Sequence, residues 1–228
     1  MRVPPHCPLS WKWLGRVSYA EGLRAQEELA KECEAGRGTD TLFLLEHESL
    51  YTAGRRTRPE ELLWDEKERK RRGIALCETD RGGKLTYHGP GQLVGYPIVD
   101  IRARALSVRE WVETIERSLI DYLRRLGLDG STECGRPGVW TKEGKVAALG
   151  LHVSRGVSRH GFALNLSTDL SAYGGIIPCG IEGRAVVSVE SLLGKAPSLP
   201  EAAAQIAGCL ARRLDAGLEE GAPCRAAL

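Results

Sequence analysis

D-R-G-G-K-L-T-Y-H-G-P-G-Q, residues 80–92, places four glycines among charged and aromatic side chains. The glycines suggest a phosphate-binding loop, but a Walker loop built on Lys84 would need serine or threonine where Leu85 stands. A dinucleotide fingerprint beginning at Gly89 would need glycine where Val94 stands. A plain connecting loop is one alternative. Polar side chains and accessible backbone N–H groups together are typical of a ligand pocket, so we expect this stretch to line one.

Helix and strand signals flank this stretch without a regular alternation. Capping boxes of the form Ser-x-x-Glu at Ser18, Ser107 and Ser198 each predict the start of a helix. The first two helices should end before Gly36 and Gly127. We expect an α/β (α+β) fold in which helices flank a mixed sheet on one side, rather than a doubly wound sheet. The strand-like runs lie at residues 41–45, 74–78, 92–98, 145–153 and 161–166.

Length and composition indicate one soluble domain. The 228 residues are 42% hydrophobic and 27% charged, which is enough for one sizeable core. We expect a single domain over residues 1–228, with residues 219–228 as a frayed tail. The first residues lack a secretion signal and no run of about 18 apolar residues occurs, so we expect a cytoplasmic protein without a membrane partner. A net charge of +2 gives no field to attract nucleic acid.

Seven cysteines are spread along the chain without a Cys-x-x-Cys pair. An odd number in this arrangement argues against a disulfide framework and against a tetrahedral zinc site. Cys179 lies in G-G-I-I-P-C-G-I-E-G, residues 174–183, where Pro178 stiffens the loop and Gly180 leaves room for a substrate carbonyl. It is our candidate nucleophile, although a cysteine that packs as a small hydrophobe is the common alternative.

Lys145 begins the apolar run V-A-A-L-G-L, residues 146–151. Such a lysine is usually an exposed charge at the end of a strand. In a pocket, its positive charge would instead lower the pKa of a nearby thiol below the free value of about 8.5. Small residues on this strand and the next, such as Gly150 and Gly161, would leave room for an aliphatic chain. Lys145 is therefore our candidate partner for the nucleophile.

Four motifs follow one another in the order found in a known enzyme family. They are R-G-G-x-x-T-Y-H-G-P-G-Q at 81–92, G-K-V-A-A-L-G at 144–150, H-G-F-A-L-N at 160–165 and P-C-G-I at 178–181. The upstream stretch L-E-H-E-x-x-Y-T-x-G-R at 45–55 fits the same family. From about residue 40 to residue 195 the chain closely resembles the lipoyl(octanoyl) transferase family. The resemblance implies a biotin/lipoyl protein ligase-like fold. It also implies an acyltransferase that moves an octanoyl group from octanoyl-acyl carrier protein to a lysine of lipoyl domains.

The resemblance extends to partners and residues. It implies acceptors among the lipoyl domains of 2-oxoacid dehydrogenase complexes and the glycine cleavage H protein, and we expect no cofactor, no metal and a monomeric chain. Cys179 matches the acyl-thioester nucleophile and Lys145 the lysine that lowers its pKa. Backbone N–H groups near Gly180 or in the turn at 81–83 are candidates for the oxyanion site. The matched acyl-binding positions are Arg81, Gly82, Gly83, Lys84, Leu85, Thr86, Tyr87, His88, Ala148, Leu149, Gly150, Gly161, Phe162 and Ala163.

Three alternatives stay open. An ATP-dependent lipoate or biotin ligase on the same fold would need no cysteine, but its loop typically reads G-G-G-A-x-x-H-D-x-G-N, whereas Gly-Pro-Gly-Gln follows His88 here. A non-catalytic acyl-carrier-protein-binding module is suggested by the basic run at residues 67–72, although such a run is usually the solvated end of a helix. A papain-like hydrolase would need a histidine partner, for which His152 and His160 are available.

Overall fold

A computed structural model describes residues 8–177 and 184–221 of the chain. Within those ranges it contains five α-helices and eleven strands. The helices are α1 Tyr19–Glu34, α2 Glu66–Arg71, α3 Val108–Arg125, α4 Val189–Leu193 and α5 Leu199–Arg213. The strands are β1 Leu9–Val17, β2 Thr41–His47, β3 Leu50–Ala53, β4 Ala75–Glu78, β5 Leu85–His88, β6 Gln92–Ile98, β7 Ser131–Glu133, β8 Arg136–Trp140, β9 Lys145–Ser154, β10 Val157–Asn165 and β11 Leu218–Glu220.

The strands form two sheets. The larger sheet has the order β11-β1-β2-β6-β10-β9-β8-β7, and the smaller has the order β4-β3-β5. In the larger sheet β1 runs parallel to β2 and β11, and the other neighbours are antiparallel. In the smaller sheet β3 is parallel to β4 and antiparallel to β5. The mixed sheet expected from the sequence is confirmed.

Helices cover both faces of the larger sheet. Along β2, Leu42 and Leu44 pack in a core shared with α3 and α5, whereas Phe43 and Leu45 pack in a second core shared with α1. The expectation of helices on one side is therefore wrong. Because β2 is buried along its whole length, its sequence lacks the polar and apolar alternation that would distinguish a covered face from a solvated one.

The three predicted capping boxes are confirmed as helix starts. Ser18, Ser107 and Ser198 are the N-caps of α1, α3 and α5. Ser18 and Ser107 exchange hydrogen bonds with the glutamate three residues on, and Ser198 donates to Glu201 from both its N–H and its hydroxyl. A cap of this kind contributes about 1 kcal/mol to helix stability. The caps therefore fix where the helices begin. Burial of the apolar side chains of the helices holds the helices on the sheet.

Six of the eleven described strands were not predicted, namely β1, β3, β5, β7, β8 and β11. β5 lies inside the stretch at 80–92, and β1 extends the larger sheet beyond β2. Glu219 and Glu220, expected in the frayed tail, belong to β11 and pair with β1; residues 222–228 lie outside the described residues. β5 and β11 have four and three residues, too few for a periodic pattern to be recognised in the sequence.

The smaller sheet brings the stretch at 80–92 against the larger one. Tyr51, Leu85 and Tyr87 form its core together with Ile176, and β6 begins at Gln92, four residues after β5 ends. The chain thus passes from the small sheet straight into the centre of the large sheet. Among the described residues, no helix combines the length and apolar character needed to cross a membrane.

Candidate functional site

Two predicted acyl-binding triplets lie side by side on β9 and β10. The strands pair so that residues 148–150 stand opposite residues 161–163, with Gly150 directly across from Gly161. Opposite residues in an antiparallel pair have Cβ atoms only about 5 Å apart. The structure therefore brings the two triplets into one patch.

A cavity of about 40 Å³ borders this patch, and a second cavity of about 260 Å³ adjoins the first. Both are lined by Gly83, Lys84, Leu149 and Gly150, and the larger one also reaches Lys145. The larger cavity therefore offers more room for a long ligand than the smaller one. The predicted residues that line the smaller cavity are Arg81, Gly83, Lys84, Thr86, His88 and both triplets.

The side chains of β5 alternate between the cavity and the core of the small sheet. Thr86 and His88 line the smaller cavity, whereas Leu85 and Tyr87 pack with Tyr51 in the core. Successive side chains of a strand point to opposite faces, so the residues of the predicted segment at 81–88 cannot all face one ligand. The structure places the side chains of Leu85 and Tyr87 away from the cavity.

Arg81 holds the glycine loop against the small sheet. Its buried guanidinium donates from Nη2 to Thr52 O at 2.6 Å and to Thr52 Oγ1 at 2.8 Å, and from Nη1 to Gly82 O at 3.0 Å. The planar fork of a guanidinium suits such a set of fixed acceptors. Lys84, also predicted at this site, forms an ion pair with the buried Glu61.

The glycine loop crosses β9 at Gly150. Gly82 N donates to Leu151 O at 2.8 Å, and a Cβ atom on Gly150 would lie 2.7 Å from Gly82 O. A side chain at position 150 would therefore displace the loop, which explains why glycine stands there. The Gly82 N–H is one of the candidate oxyanion donors of the 81–83 turn, and it already donates to Leu151 O.

A buried polar network leads from the cavity towards residue 187. His88 Nδ1 lies 2.8 Å from Gln92 Oε1, Gln92 Nε2 donates to Asn165 Oδ1 at 2.9 Å, and Asn165 Nδ2 donates to Val187 O at 3.1 Å. Buried polar groups left unpaired are costly, so this chain of bonds fixes the parts that it joins. Gln92 and Asn165 were not predicted as site residues, although they are the last residues of the motifs at 81–92 and 160–165.

Lys145 begins β9 with its side chain buried. Its Nζ donates to Pro137 O at 2.9 Å and lies 5.0 Å from the ring centroid of Trp140. The alternative of an exposed charge at a strand end is therefore wrong for this lysine. Lys145 is one of the residues that line the larger cavity.

Cys179 lies outside the described residues, which break at 178–183. Beyond the break the chain runs beside Lys145, where Lys145 N donates to Ala185 O at 2.9 Å and Val187 N donates to Lys145 O at 3.0 Å. Before the break, Ile177 N donates to Glu61 O at 2.8 Å. The described residues on either side of the gap are thus held by backbone hydrogen bonds, and those after it are held by Lys145 itself.

Tyr19 and Tyr96 border the smaller cavity beside the predicted His88, and His47 contacts both His88 and Tyr96. Tyr19, His47 and Tyr96 were not predicted as site residues. His47 Nε2 lies 2.8 Å from Tyr96 OH, and the His47 ring meets the His88 ring edge-on at 5.9 Å between centroids. Burial lowers the pKa of His47 and, with the nearby charges of His47 and Arg81, lowers the pKa of His88 far below its ordinary value. Burial raises the pKa of Tyr19 to about 12. The cluster therefore offers uncharged hydrogen-bonding groups at neutral pH.

Asp80 gathers three basic side chains beside the cavity. His160 Nε2 lies 2.7 Å from Asp80 Oδ1, while His152 Nδ1 and Arg159 Nη2 lie 2.9 and 2.5 Å from Oδ2. Burial lowers the pKa of His160 to about 4. Burial alone would raise the pKa of Asp80, but the hydrogen bond from His160 and the charges of His160 and Arg159 bring it to about 2. His152 and His160, the two candidates for the histidine partner of a papain-like hydrolase, are thus both held by Asp80.

Two further predictions concern metals and the basic run. In the ranges 8–177 and 184–221, no group of three or more His, Cys, Asp and Glu is arranged to hold a metal ion. The basic run at 67–72 includes the end of α2, where Lys70 pairs with Glu66, and Arg71 and Arg72 pair with Glu68. Such pairs are typical of an exposed helix surface, which favours the interpretation of a solvated helix end.

Sequence comparison connects the chain to one family. The profile described as "Lipoyl protein ligase A/B catalytic domain" matches residues 18–211. The octanoyltransferase of Mycobacterium tuberculosis is 46% identical over 211 residues, covering 91% of this chain and 88% of the relative. The octanoyltransferase of Solibacter usitatus is 44% identical over 214 residues, covering 94% of this chain and 96% of the relative.

Solved structures of protein ligases share the fold. Lipoate-protein ligase A bound with ATP superposes with a TM-score of 0.70 at 19% identity, covering 95% of this chain and 88% of the other. A bipartite lipoate protein ligase from Thermoplasma acidophilum gives 0.71 at 19% identity, covering 95% and 87%. Biotin protein ligase from Aquifex aeolicus in complex with biotin and ATP gives 0.55 at 15% identity, covering 91% and 70%. The expected biotin/lipoyl protein ligase-like fold is confirmed.

Proposed function

The chain belongs to the lipoyl protein ligase A/B catalytic-domain family and is an acyltransferase, and we propose that it transfers an octanoyl group through a thioester on Cys179. The donor is octanoyl-acyl carrier protein and the acceptor is a lysine of a lipoyl domain. One observation carries the proposal. The buried Lys145 borders a cavity that adjoins the acyl-binding triplets, and its backbone pairs with the chain that follows Cys179.

In the first half-reaction the Cys179 thiolate attacks the carbonyl carbon of the donor thioester. The positive charge of Lys145 favours the thiolate, which is the reactive form of the thiol. The bond between the carbonyl carbon and the carrier sulfur then breaks, and the carrier thiol takes its proton from the Lys145 ammonium. The octanoyl group is left on Cys179 as a thioester, and Lys145 is left as a neutral amine.

In the second half-reaction the acceptor lysine attacks the same carbonyl carbon. Lys145 takes a proton from the attacking amine, an amide bond forms, and the bond to the Cys179 sulfur breaks. The enzyme returns to a thiolate beside an ammonium. Because an amide is more stable than a thioester, the transfer needs no ATP, and neither a metal nor a cofactor takes part in any step.

The octanoyl chain is proposed to lie along the β9–β10 patch. Ala148, Leu149, Phe162 and Ala163 offer it apolar surface, whereas glycine at 150 and at 161 lets neighbouring backbone lie against the two strands. Burying one CH₂ group contributes about 0.8 kcal/mol, so an eight-carbon chain gains several kcal/mol of binding. The small size of the first cavity means that side chains at its wall shift when the chain enters.

The acceptors of the enzyme, its oligomeric state and its location in the cell belong to the same proposal. Its acceptors are the lipoyl domains of 2-oxoacid dehydrogenase complexes and the glycine cleavage H protein, and it works as a monomer in the cytoplasm. Because most charges of the basic run at 67–72 are paired within α2, this run adds little to docking of an acidic carrier protein.

Intact-mass measurement tests the proposed function. The protein is mixed with octanoyl-acyl carrier protein, and we expect a mass gain of one octanoyl group that disappears when an apo-lipoyl domain is added. Transfer without any adduct on the enzyme would contradict the thioester mechanism. The competing ATP-dependent ligase is tested in parallel with free octanoate and ATP, where release of AMP would support it.

A further inference from the structure

One peptide unit of β8 joins two buried charged side chains. Lys145 Nζ donates to Pro137 O at 2.9 Å, and Gly138 N donates to Glu116 Oε1 at 2.8 Å. The carbonyl of Pro137 and the N–H of Gly138 belong to the same planar amide group. Glu116, from α3, and Lys145, from β9, each keep only 6% of their surface exposed.

The two charges act on this amide in the same direction. A carboxylate at the N–H and an ammonium at the C=O both make charge-assisted hydrogen bonds, which are roughly twice as strong as neutral ones. In a low-dielectric interior such bonds polarise one another, so the bond at one end strengthens the bond at the other. The amide therefore fixes the ammonium more firmly than an isolated carbonyl would.

Gly138 shows how closely the lysine depends on this segment. Its φ of 136° lies in the region that favours glycine, and a Cβ atom there would overlap Cε of Lys145. The lysine side chain thus passes over residue 138 to reach the carbonyl of Pro137. Any shift of this amide moves the surface against which the lysine lies.

The carboxyl of Glu116 is held in an unfavourable environment for its charge. Burial raises its pKa, while the N–H of Gly138 and the charge of Lys145 favour the ionised form. Buried carboxylates are retained where they have partners of this kind. Glu116 is therefore coupled to the lysine both through the amide and through charge.

We propose that Glu116 is a positioning residue, which holds the Pro137–Gly138 amide and through it the ammonium of Lys145. The inference rests on the proposed function of Lys145, because it concerns where that ammonium stands when it transfers a proton. Glu116 itself touches neither the substrate nor the reacting atoms in this proposal.

The test compares Glu116→Gln and Glu116→Leu with Glu113→Gln. Glutamine keeps an acceptor oxygen without the charge, and leucine removes both. The control is Glu113→Gln, at a half-buried glutamate one turn earlier on α3 that pairs with Arg109. The initial rate of octanoyl-enzyme formation is measured by intact mass, in the wild-type and in the Lys145→Met background, with thermal unfolding as a check on folding. A displacement of about 1 Å can cost a hundredfold in rate, so we expect Glu116→Leu to lose roughly ten- to a hundredfold and Glu116→Gln to lose less.

Coupling to Lys145 distinguishes positioning from a structural role. In the Lys145→Met background the Glu116 substitutions should cause no further loss, because residues that act as one unit are not additive. Equal losses in both backgrounds, or an unchanged rate in the wild-type background, would show that the inference is wrong. If Glu116→Leu does not fold, Glu116→Gln carries the same comparison. Failure of the wild-type protein to form any adduct would contradict the proposed function itself, and the inference with it.

Discussion

Arg81 and Lys145 are buried basic residues that line two adjoining cavities, Arg81 the smaller and Lys145 the larger, and they are held in different ways. The guanidinium of Arg81 spreads its bonds over two oxygens of Thr52 and the carbonyl of Gly82, and so ties the glycine loop to the small sheet. The ammonium of Lys145 donates to Pro137 on the wall of the larger cavity. The first arrangement cross-links two segments of backbone, whereas the second places one charge where a ligand can reach it.

This difference assigns separate tasks to the two sides of the site. A guanidinium does not lose its proton in a protein, whereas an ammonium can give its proton away and take it back. The Arg81 side is therefore suited to maintain the shape of the pocket, and the Lys145 side is suited to the chemistry. Substitutions on the Lys145 side should reduce the rate of transfer, and substitutions on the Arg81 side should first reduce stability.

The largest effect is expected at the nucleophile. Cys179→Ala should abolish the octanoyl adduct and reduce transfer by on the order of a thousandfold or more, the scale seen when a covalent nucleophile is removed. Cys209→Ala is the control, because Cys209 is buried in α5 within the main core, and it should leave adduct and transfer intact. A fully active Cys179→Ala enzyme would contradict the assignment of the chemistry to the Lys145 side of the site.

Lys145→Met should cause the next largest loss. Removing a general acid and base typically costs about a hundred- to ten-thousandfold in rate, and loss of the positive charge should raise the pKa of Cys179. Alkylation of Cys179 by iodoacetamide at neutral pH should therefore slow, with its pH midpoint moved upward. The experiment needs a Cys134→Ser background, because Cys134 is exposed and would also react. An unchanged alkylation profile would show that Lys145 and Cys179 are not coupled.

Arg81→Met should affect stability before chemistry. It removes the hydrogen bonds that Arg81 donates to Thr52 O, Thr52 Oγ1 and Gly82 O, and an unsatisfied buried polar group costs about 1–3 kcal/mol. For a chain of this size each kcal/mol corresponds to a fall of about 2–4 °C in Tm. Arg55→Met, at an exposed arginine of a neighbouring loop, should leave Tm unchanged. An Arg81→Met protein with unaltered Tm but no octanoyl adduct would reverse the tasks given to the two sides.

The sequence predicted those features that local patterns determine. The capping boxes located α1, α3 and α5, and the apolar runs located the central strands, because both signals lie within a few adjacent residues. Motifs also placed residues 148–150 and 161–163 in one site, and the β9–β10 register pairs them directly. Lys145 could be chosen as a candidate from its position at the head of an apolar strand.

The remaining features depend on packing between distant parts of the chain. Glu116 reaches Gly138 across 22 positions, and Gln92 reaches Asn165 across 73, so no local pattern announces either contact. The sequence also did not predict that α1 covers the second face of the large sheet. The fully buried β2 shows no alternation of polar and apolar residues that would indicate this. The short β5 was hidden among turn residues, and it determines which of residues 85–88 face the cavity.

The smallest of the four effects concerns acid stability on the Arg81 side. Burial lowers the pKa of His160 to about 4 from an ordinary value of about 6.5, so between these pH values the unfolded chain binds a proton that the folded chain does not. Stability should therefore fall as the pH falls from about 6.5 to 4. Asp80, whose pKa is lowered to about 2, behaves as a stabilising carboxylate whose contribution is lost only below about pH 4.

A non-titrating residue at position 160 should flatten part of this slope. His160 has a φ of 55°, and asparagine tolerates that left-handed region better than most residues, so His160→Asn is the appropriate variant. The free energy of unfolding in urea, measured from pH 7 to pH 4.5, should fall less steeply in the variant, by roughly 1–2 kcal/mol over the range. Part of the slope should persist, because His47 and His88 are also buried with lowered pKa values. A variant with the wild-type slope would show that His160 does not contribute to the pH dependence of the free energy of unfolding. The acid response would then arise from His47 and His88.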